Sequence, residues 1–181
     1  IYRNKAKIND DIYVSGNLGD SYVGLLILKN KIKLNNILSK YFVKQYFLPN
    51  IQSRLTKYLI KFANTSIDIS DGLLADLDKM LNIQKLSYKI HLENIPISKH
   101  LKKTLELKKL KKINFISRGD DYQILFTASQ NKRRIIKIIS SLLGVKITKI
   151  GIIQNKSLKP SIIDQNSTVI TIKNKGYLHQ F

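Results

Sequence analysis

The chain of 181 residues contains no cysteine, which excludes disulfides, thiolate metal sites and cysteine nucleophiles and fits a reducing compartment. It also lacks tryptophan, and its only methionine is Met80. Because the first residue is Ile1, the chain is expected to be the back part of something longer. Long apolar runs are missing as well. The longest, Tyr22 to Leu28, is far too short to span a bilayer and is interrupted by Gly24. No charged-then-apolar leader is visible, so a cytoplasmic protein with no membrane role is the expectation. Histidine is scarce, and His91, His100 and His179 lie too far apart for metal-ligand spacing. No Ser/His/Asp arrangement can be proposed from residue order.

Acids are the most telling shortage. Twelve Asp and Glu face 32 Lys and Arg, for a formal net charge of +20. Such a balance invites a nucleic-acid reading. Against it, the lysines are scattered along nearly every element, and arginine, the better base and phosphate reader, is rare. Tyr41, Phe42, Tyr46 and Phe47 interleave with Lys40 and Lys44 like a nucleic-acid platform, but their helical spacing suits a core stripe with a wet lysine edge. A basic nucleic-acid-binding module is therefore the least favoured reading. Joint over-use of Ile, Lys and Asn points to a drift of the whole composition.

Against this background the few acids cluster. Asp68, Asp71, Asp76 and Asp78 share the stretch Ser66-Ile67-Asp68-Ile69-Ser70-Asp71-Gly72-Leu73-Leu74-Ala75-Asp76-Leu77-Asp78, and a second knot sits at Arg118-Gly119-Asp120-Asp121-Tyr122. Thr65 to Ile69 reads as a short buried strand, while Leu73, Leu77, Met80 and Leu81 recur at helical spacing. Asp68 then ends the strand, and Ser70 and Asp71 lie at the mouth of the helix, where free backbone N–H groups and the helix dipole favour phosphate. Carboxylates beside a phosphate would clash without a metal between them, and hard oxygen ligands suit Mg²⁺. The plainer alternative is that Ser70 or Asp71 caps the helix and Asp-Gly makes the turn. Capping leaves Asp68 unexplained, since an acid closing a buried strand is costly without a partner.

Along the rest of the chain, Asp11 to Ser15 alternates as a strand. Gly16-Asn17-Leu18-Gly19-Asp20-Ser21 follows and opens a helix to about Leu28. That turn resembles a phosphate-binding loop but lacks the third glycine of a dinucleotide pattern and the Gly-Lys-Ser/Thr of a P-loop. A turn of this kind more often joins strand to helix. Lys29 to Asn36 reads as a loop, and Leu38–Phe47 and Ile51–Phe62 as helices broken by Pro49. Leu86–Leu92 is an expected strand, with a boundary at Pro96 and an amphipathic Lys99–Lys112 after it. Asp121–Thr127 is a strand, Asn131–Leu143 a helix, and Val145–Ile153 and Thr168–Lys173 are strands. Helices and strands mix without strict βαβ alternation. The expectation is one α+β domain over residues 1–181, a mixed β-sheet with helices packed on it.

Together these segments resemble thiamine-monophosphate kinase, of the superfamily that includes aminoimidazole-ribonucleotide synthetase and selenophosphate synthetase. The matching pieces are Arg3-Asn4-Lys5-Ala6, Asp11 to Ser21, Ser66 to Leu73, Gly119 to Thr127, Ile147 to Gly151, and the tail Gly176-Tyr177-Leu178-His179-Gln180-Phe181. They cover the chain but only the C-terminal half or so of a family member. The resemblance implies transfer of the γ-phosphoryl group of ATP onto thiamine phosphate, with Mg²⁺ and no covalent enzyme intermediate. It also implies a homodimer through an N-terminal ATP- and Mg²⁺-binding domain that is not in this chain, and little or no kinase activity from this part alone. By the same resemblance Asp68 and Asp71 are Mg²⁺ ligands, Ser70 and Arg3 contact ATP, Asp120 touches the substrate, and Tyr177 packs against thiamine. The family usually has Gly-Gly-Glu-Asp-Tyr-Glu where this chain has Arg118 to Gln123. Asp120 is thus one methylene short, and Arg118 would be strained if its position required positive φ. Another ATP-using enzyme of the superfamily, or an inactive homologue, is the alternative.

Overall fold

The computed structural model describes residues 4–82 and 84–171. Arg3 and Tyr177, to which the resemblance assigns roles, lie outside the described residues, as does the far end of the strand expected at 168–173. Six strands form one sheet: β1 (Asp11–Ser15), β2 (Thr65–Asp68), β3 (Ser87–His91), β4 (Ile124–Ala128), β5 (Ile147–Gln154) and β6 (Ser161–Ile163). Their order is β2-β4-β1-β5-β3-β6, antiparallel throughout except for the parallel β3–β6 pair. The helices are α1 (Asp20–Leu28), α2 (Asn36–Phe47), α3 (Ser53–Leu59), α4 (Leu73–Asn82), α5 (Lys99–Lys108), α6 (Ile113–Ile116) and α7 (Arg133–Leu143). This is the expected α+β class.

The sheet is buried on both faces. In β1, Ile12 and Val14 enter one core and Tyr13 the other; in β4, Leu125 joins the first, and Ile124, Phe126 and Ala128 join the second. That is the period-2 alternation of a strand, with both sides covered. The first core is closed by α4, whose Leu73, Leu74, Leu77, Met80 and Leu81 form one buried stripe. The second is closed by Leu55 and Leu59 of α3, Phe62, and Ile136 and Ile139 of α7. Burying each such side chain stabilises the fold by about 1.5–3 kcal/mol. A third cluster joins Val23 of α1, Phe42 of α2, Leu101 of α5 and Phe115 of α6.

Two sequence expectations change. The helix expected over Ile51–Phe62 shrinks to Ser53–Leu59, because the chain turns after Leu59, whose carbonyl accepts the N–H groups of both Phe62 and Ala63. The turn delivers Phe62 to the core. The strand expected from Thr168 is an isolated bridge from Val169 to Ile163. Conversely, β6 and α6 are too short for periodicity to reveal.

The β2–β4 ladder pairs Thr65 with Thr127 through Asp68 with Ile124, and it does not stop there. Ile69 N–H donates to the Gln123 carbonyl (2.8 Å), Tyr122 N–H to the Ile69 carbonyl (2.9 Å), and Asp120 N–H to the Ser70 carbonyl (2.9 Å). Two glycines let the backbones touch. A Cβ on Gly119 would lie 1.9 Å from the Ser70 carbonyl oxygen, and one on Gly72 would lie 2.4 Å from that of Ser117. The two acidic segments, some fifty residues apart in sequence, are thereby one structural unit.

Asp121 turns inward from that unit. It is buried, and its Oδ2 accepts the Gly19 N–H at 2.8 Å, anchoring the start of α1. Burial pushes its carboxyl well above the usual carboxylate range, in spite of that hydrogen bond. On the far side of β1, Asp11 is also buried, between Arg133 and Lys149 (2.6 Å). Burial alone would raise its carboxyl, but the hydrogen bonds from Arg133 and Lys149 hold it below the ordinary value.

Gly119→Ala should cost about 2–4 kcal/mol in urea unfolding, since the added carbon meets backbone rather than a yielding side chain. Gly144→Ala, at φ +63 with nothing within 4 Å, should cost about 1–2 kcal/mol. Equal costs would show that the close approach at Gly119 is not needed. A raised Asp121 gives stability that is full below the ordinary carboxylate range and is lost as pH rises through its folded-state value. Asp121→Asn keeps an acceptor and removes the charge. Unfolding from about pH 4 to pH 8 should therefore show a flatter stability profile than wild type; parallel profiles would contradict the assignment.

Candidate functional site

Where the two acidic segments meet, they wall a pocket of about 590 Å³ with Ser70, Asp71, Arg118, Asp120 and Tyr122, closed on the α1 side by Tyr22. Ser70, Asp71 and Asp120, singled out in the sequence for different roles, thus share one cavity. Asp68 does not line it. The reason is strand geometry: Ile67 and Ile69 enter the core, so the residue between them projects from the opposite face, and Asp68 is exposed. The expectation of an acid sealed at the end of a buried strand is corrected accordingly, and its burial cost does not arise. Among the described residues, no three Asp, Glu or His side chains converge as a metal site.

The backbone N–H groups of the Ser70-Asp71-Gly72 turn have a partner within the chain. Asp76, from the first turn of α4, reaches back to them. Its Oδ2 accepts the N–H groups of Ser70 (2.9 Å), Asp71 (2.9 Å) and Gly72 (3.1 Å). The N–H groups of Ser70, Asp71 and Gly72 are therefore not waiting for phosphate: a side chain of the following helix holds them. A carboxylate only 1 % exposed requires such partners, and the helix N-terminus favours its charge. Lys79, three residues on, lies 3.2 Å from Asp76 Oδ1 and forms an ion pair with Asp71. The hydrogen bond to Asp71 holds the Lys79 ammonium above the ordinary lysine range.

Charge in the pocket is finely divided. Burial raises the Asp120 carboxyl above its ordinary value, and the nearby Asp71 raises it further. Asp120 also carries a φ of 68°, and Tyr122 one of 49°. Positive φ thus falls on these two residues and not on Arg118, so the strain expected at Arg118 is absent. Asp tolerates this conformation better than most residues; Tyr122 is held there by its hydrogen bond to Ile69. The Arg118 guanidinium lies over the Tyr22 ring, 5.3 Å from its centroid.

The Gly16-x-x-Gly19-Asp20-Ser21 turn serves as a joint. Gly19 N–H is held by Asp121, while Asp20 accepts hydrogen bonds from Ser98 Oγ (2.7 Å) and Tyr41 Oη (2.8 Å). Sequence reasoning missed Asp76 and Lys79 as the residues that organise the Ser70-Asp71 corner. The signal was present: an acid in the first turn of a helix, with a lysine at i+3.

No protein-family model matches the chain. Among curated relatives, the thiamine-monophosphate kinase of Buchnera aphidicola subsp. Acyrthosiphon pisum is 36% identical over 99% of this chain and 55% of its own length. That of Escherichia coli K12 is 30% identical over 98% and 54%. The chain thus spans about half the length of the curated relatives it matches. Among solved structures, thiamine-monophosphate kinase from Stenotrophomonas maltophilia superposes with a TM-score of 0.75 at 26% identity, over 91% of this chain and 52% of that one. AaThiL complexed with AMPPCP and TMP gives 0.77 at 25% identity, over 98% and 54%. The hydrogenase-maturation protein HypE in its complex with HypF, 15% identical with a TM-score of 0.67, shares the fold. By sequence along nearly its whole length, and by fold, the chain is a homologue of the thiamine-monophosphate kinases with the aminoimidazole-ribonucleotide-synthetase-like architecture.

Proposed function

We propose that this chain is the C-terminal part of an ATP-dependent kinase that converts thiamine phosphate to thiamine diphosphate. The observation that carries the reading is the shared pocket of Ser70, Asp71 and Asp120, built from two segments that lie inside the stretch matched by the thiamine-monophosphate kinases. AaThiL in its complex with AMPPCP and TMP supports the same pair of substrates.

The chemistry asks little of the protein beyond charge and position. The acceptor is a phosphate that is already anionic near neutral pH, so no general base is required, and direct in-line transfer needs no covalent intermediate. The obstacle is repulsion between two polyanions. Asp71 is proposed to hold Mg²⁺; Asp68, which projects from the opposite face of β2 and does not line the cavity, is left out of this set. Carboxylate oxygen suits a hard cation, and the pairing of Asp71 with the Lys79 ammonium supports a role for it in holding positive charge. When bound, Mg²⁺ would neutralise phosphate charge and polarise the transferring group. Ser70 and Arg3 are proposed as ATP phosphate contacts. Asp120 is proposed to accept a hydrogen bond from the aminopyrimidine of thiamine, and Tyr177 to pack against the thiazolium cation. A homodimer and a cytoplasmic location belong to the same reading. Among the described residues no helix is long and apolar enough to cross a membrane.

Calorimetric titration of the full-length protein with thiamine phosphate, Mg²⁺ and AMPPCP tests this reading. Wild type should bind all three. Asp120→Ala should weaken thiamine phosphate by about tenfold to a hundredfold, the worth of one charged hydrogen bond, and leave AMPPCP unchanged. Asp71→Asn should abolish the Mg²⁺ dependence of AMPPCP binding. Thiamine phosphate binding that is absent, or indifferent to Asp120, would overturn the assignment.

A further inference from the structure

Among the described residues that line the pocket, one half-buried cation is uncommitted. Lys79 is engaged by Asp71 and Asp76. Lys29, at the far rim, is exposed at the C-terminal end of α1. Arg118 differs from both: it is half-buried, lines the cavity beside Ser70, Asp71 and Asp120, and is braced against the face of Tyr22. Among the described residues its guanidinium makes no ion pair and no side-chain hydrogen bond, although two carboxylates line the same cavity. Stacking uses the face of the guanidinium and leaves its edge, with five N–H donors in a planar fork, available to an incoming group.

We infer that Arg118 is a specificity-determining residue that binds the phosphate of the acceptor substrate. The inference rests on the proposed thiamine-phosphate reading and names the group that recognises the phosphate end of that substrate. Asp71 and Asp120 both repel an entering phosphate monoester, so a cation on the same wall is needed to admit it. A guanidinium supplies two parallel N–H···O bonds to a phosphate, where an ammonium supplies a point charge. Tyr22 limits the rotamers of the long side chain, so less entropy is lost when the anion is bound. Gly119 strengthens the placement: its backbone contact with Ser70 fixes the segment that carries Arg118 directly beside the Ser70-Asp71 corner. The donor could equally meet the terminal phosphate of the nucleotide. The acceptor is favoured because Arg118 is two residues from Asp120, the proposed acceptor contact.

Binding of thiamine phosphate, thiamine and AMPPCP to full-length wild type, Arg118→Ala and Arg118→Lys separates the outcomes. Arg118→Ala should weaken thiamine phosphate by about tenfold to a hundredfold, while thiamine, which has no phosphate, and AMPPCP change by less than about twofold. Arg118→Lys should recover only part of the loss. Equal losses for thiamine and thiamine phosphate would mean a merely structural role and overturn the inference. A loss confined to AMPPCP would assign Arg118 to the nucleotide and overturn it too, as would unchanged binding of all three. Wild type that binds AMPPCP but not thiamine phosphate would instead remove the thiamine reading on which the inference rests.

Discussion

The site depends on a run of backbone hydrogen bonds that carries the β2–β4 pairing beyond the sheet into two loops. Residues 65–70 and 120–127 are joined first as strands and then as a strand end against a turn, with Gly72 and Gly119 removing the carbon atoms that would hold them apart. Everything that lines the pocket between α1 and α4 is fixed relative to this seam. Side chains alone could not achieve that spacing, because Asp71 and Asp120 repel each other. The hydrogen-bonded backbone holds them together; burial first, and then the nearby Asp71, raises the Asp120 carboxyl.

The scarce acids divide into two kinds of work. Asp76 and Asp121 are buried and spend their oxygens on backbone N–H groups, one at the mouth of α4 and one at the start of α1. Both act as frames. Asp71 and Asp120 face the cavity those frames define, where Arg118 adds a cation to the same wall and Lys79 pairs with Asp71 from α4. The large positive charge of the chain does not weaken this pattern, because the cations that matter are placed individually.

The strand–helix unit at 65–81 was legible because its apolar residues repeat at clear intervals, and β1, β4 and α7 were legible for the same reason. Ser70, Asp71 and Asp120 could be named as site candidates from motif and order, but their shared cavity could not, since it depends on a pairing between distant segments. Asp68 shows the limit of reading by proximity. Two residues separate it from Asp71, yet the alternation of the strand sends it out on the other face. The helix mouth shows another limit: a first-turn acid reaches back to the N–H groups of Ser70, Asp71 and Gly72, an arrangement that a cap at Ser70 or Asp71 does not foretell. Arg118 was read as a source of strain because a glycine usually stands there; the positive φ is taken up two and four residues later.

Amide hydrogen exchange at Ile69, Asp120 and Tyr122 tests the seam most directly, because these three N–H groups carry its hydrogen bonds beyond the ladder. If the two acidic segments are one cooperative unit, their protection should match that of the β2–β4 ladder amides and be lost together with it. Exchange as fast as in the exposed turn at 155–159 would contradict the account, leaving the pocket as a chance meeting of two independent loops.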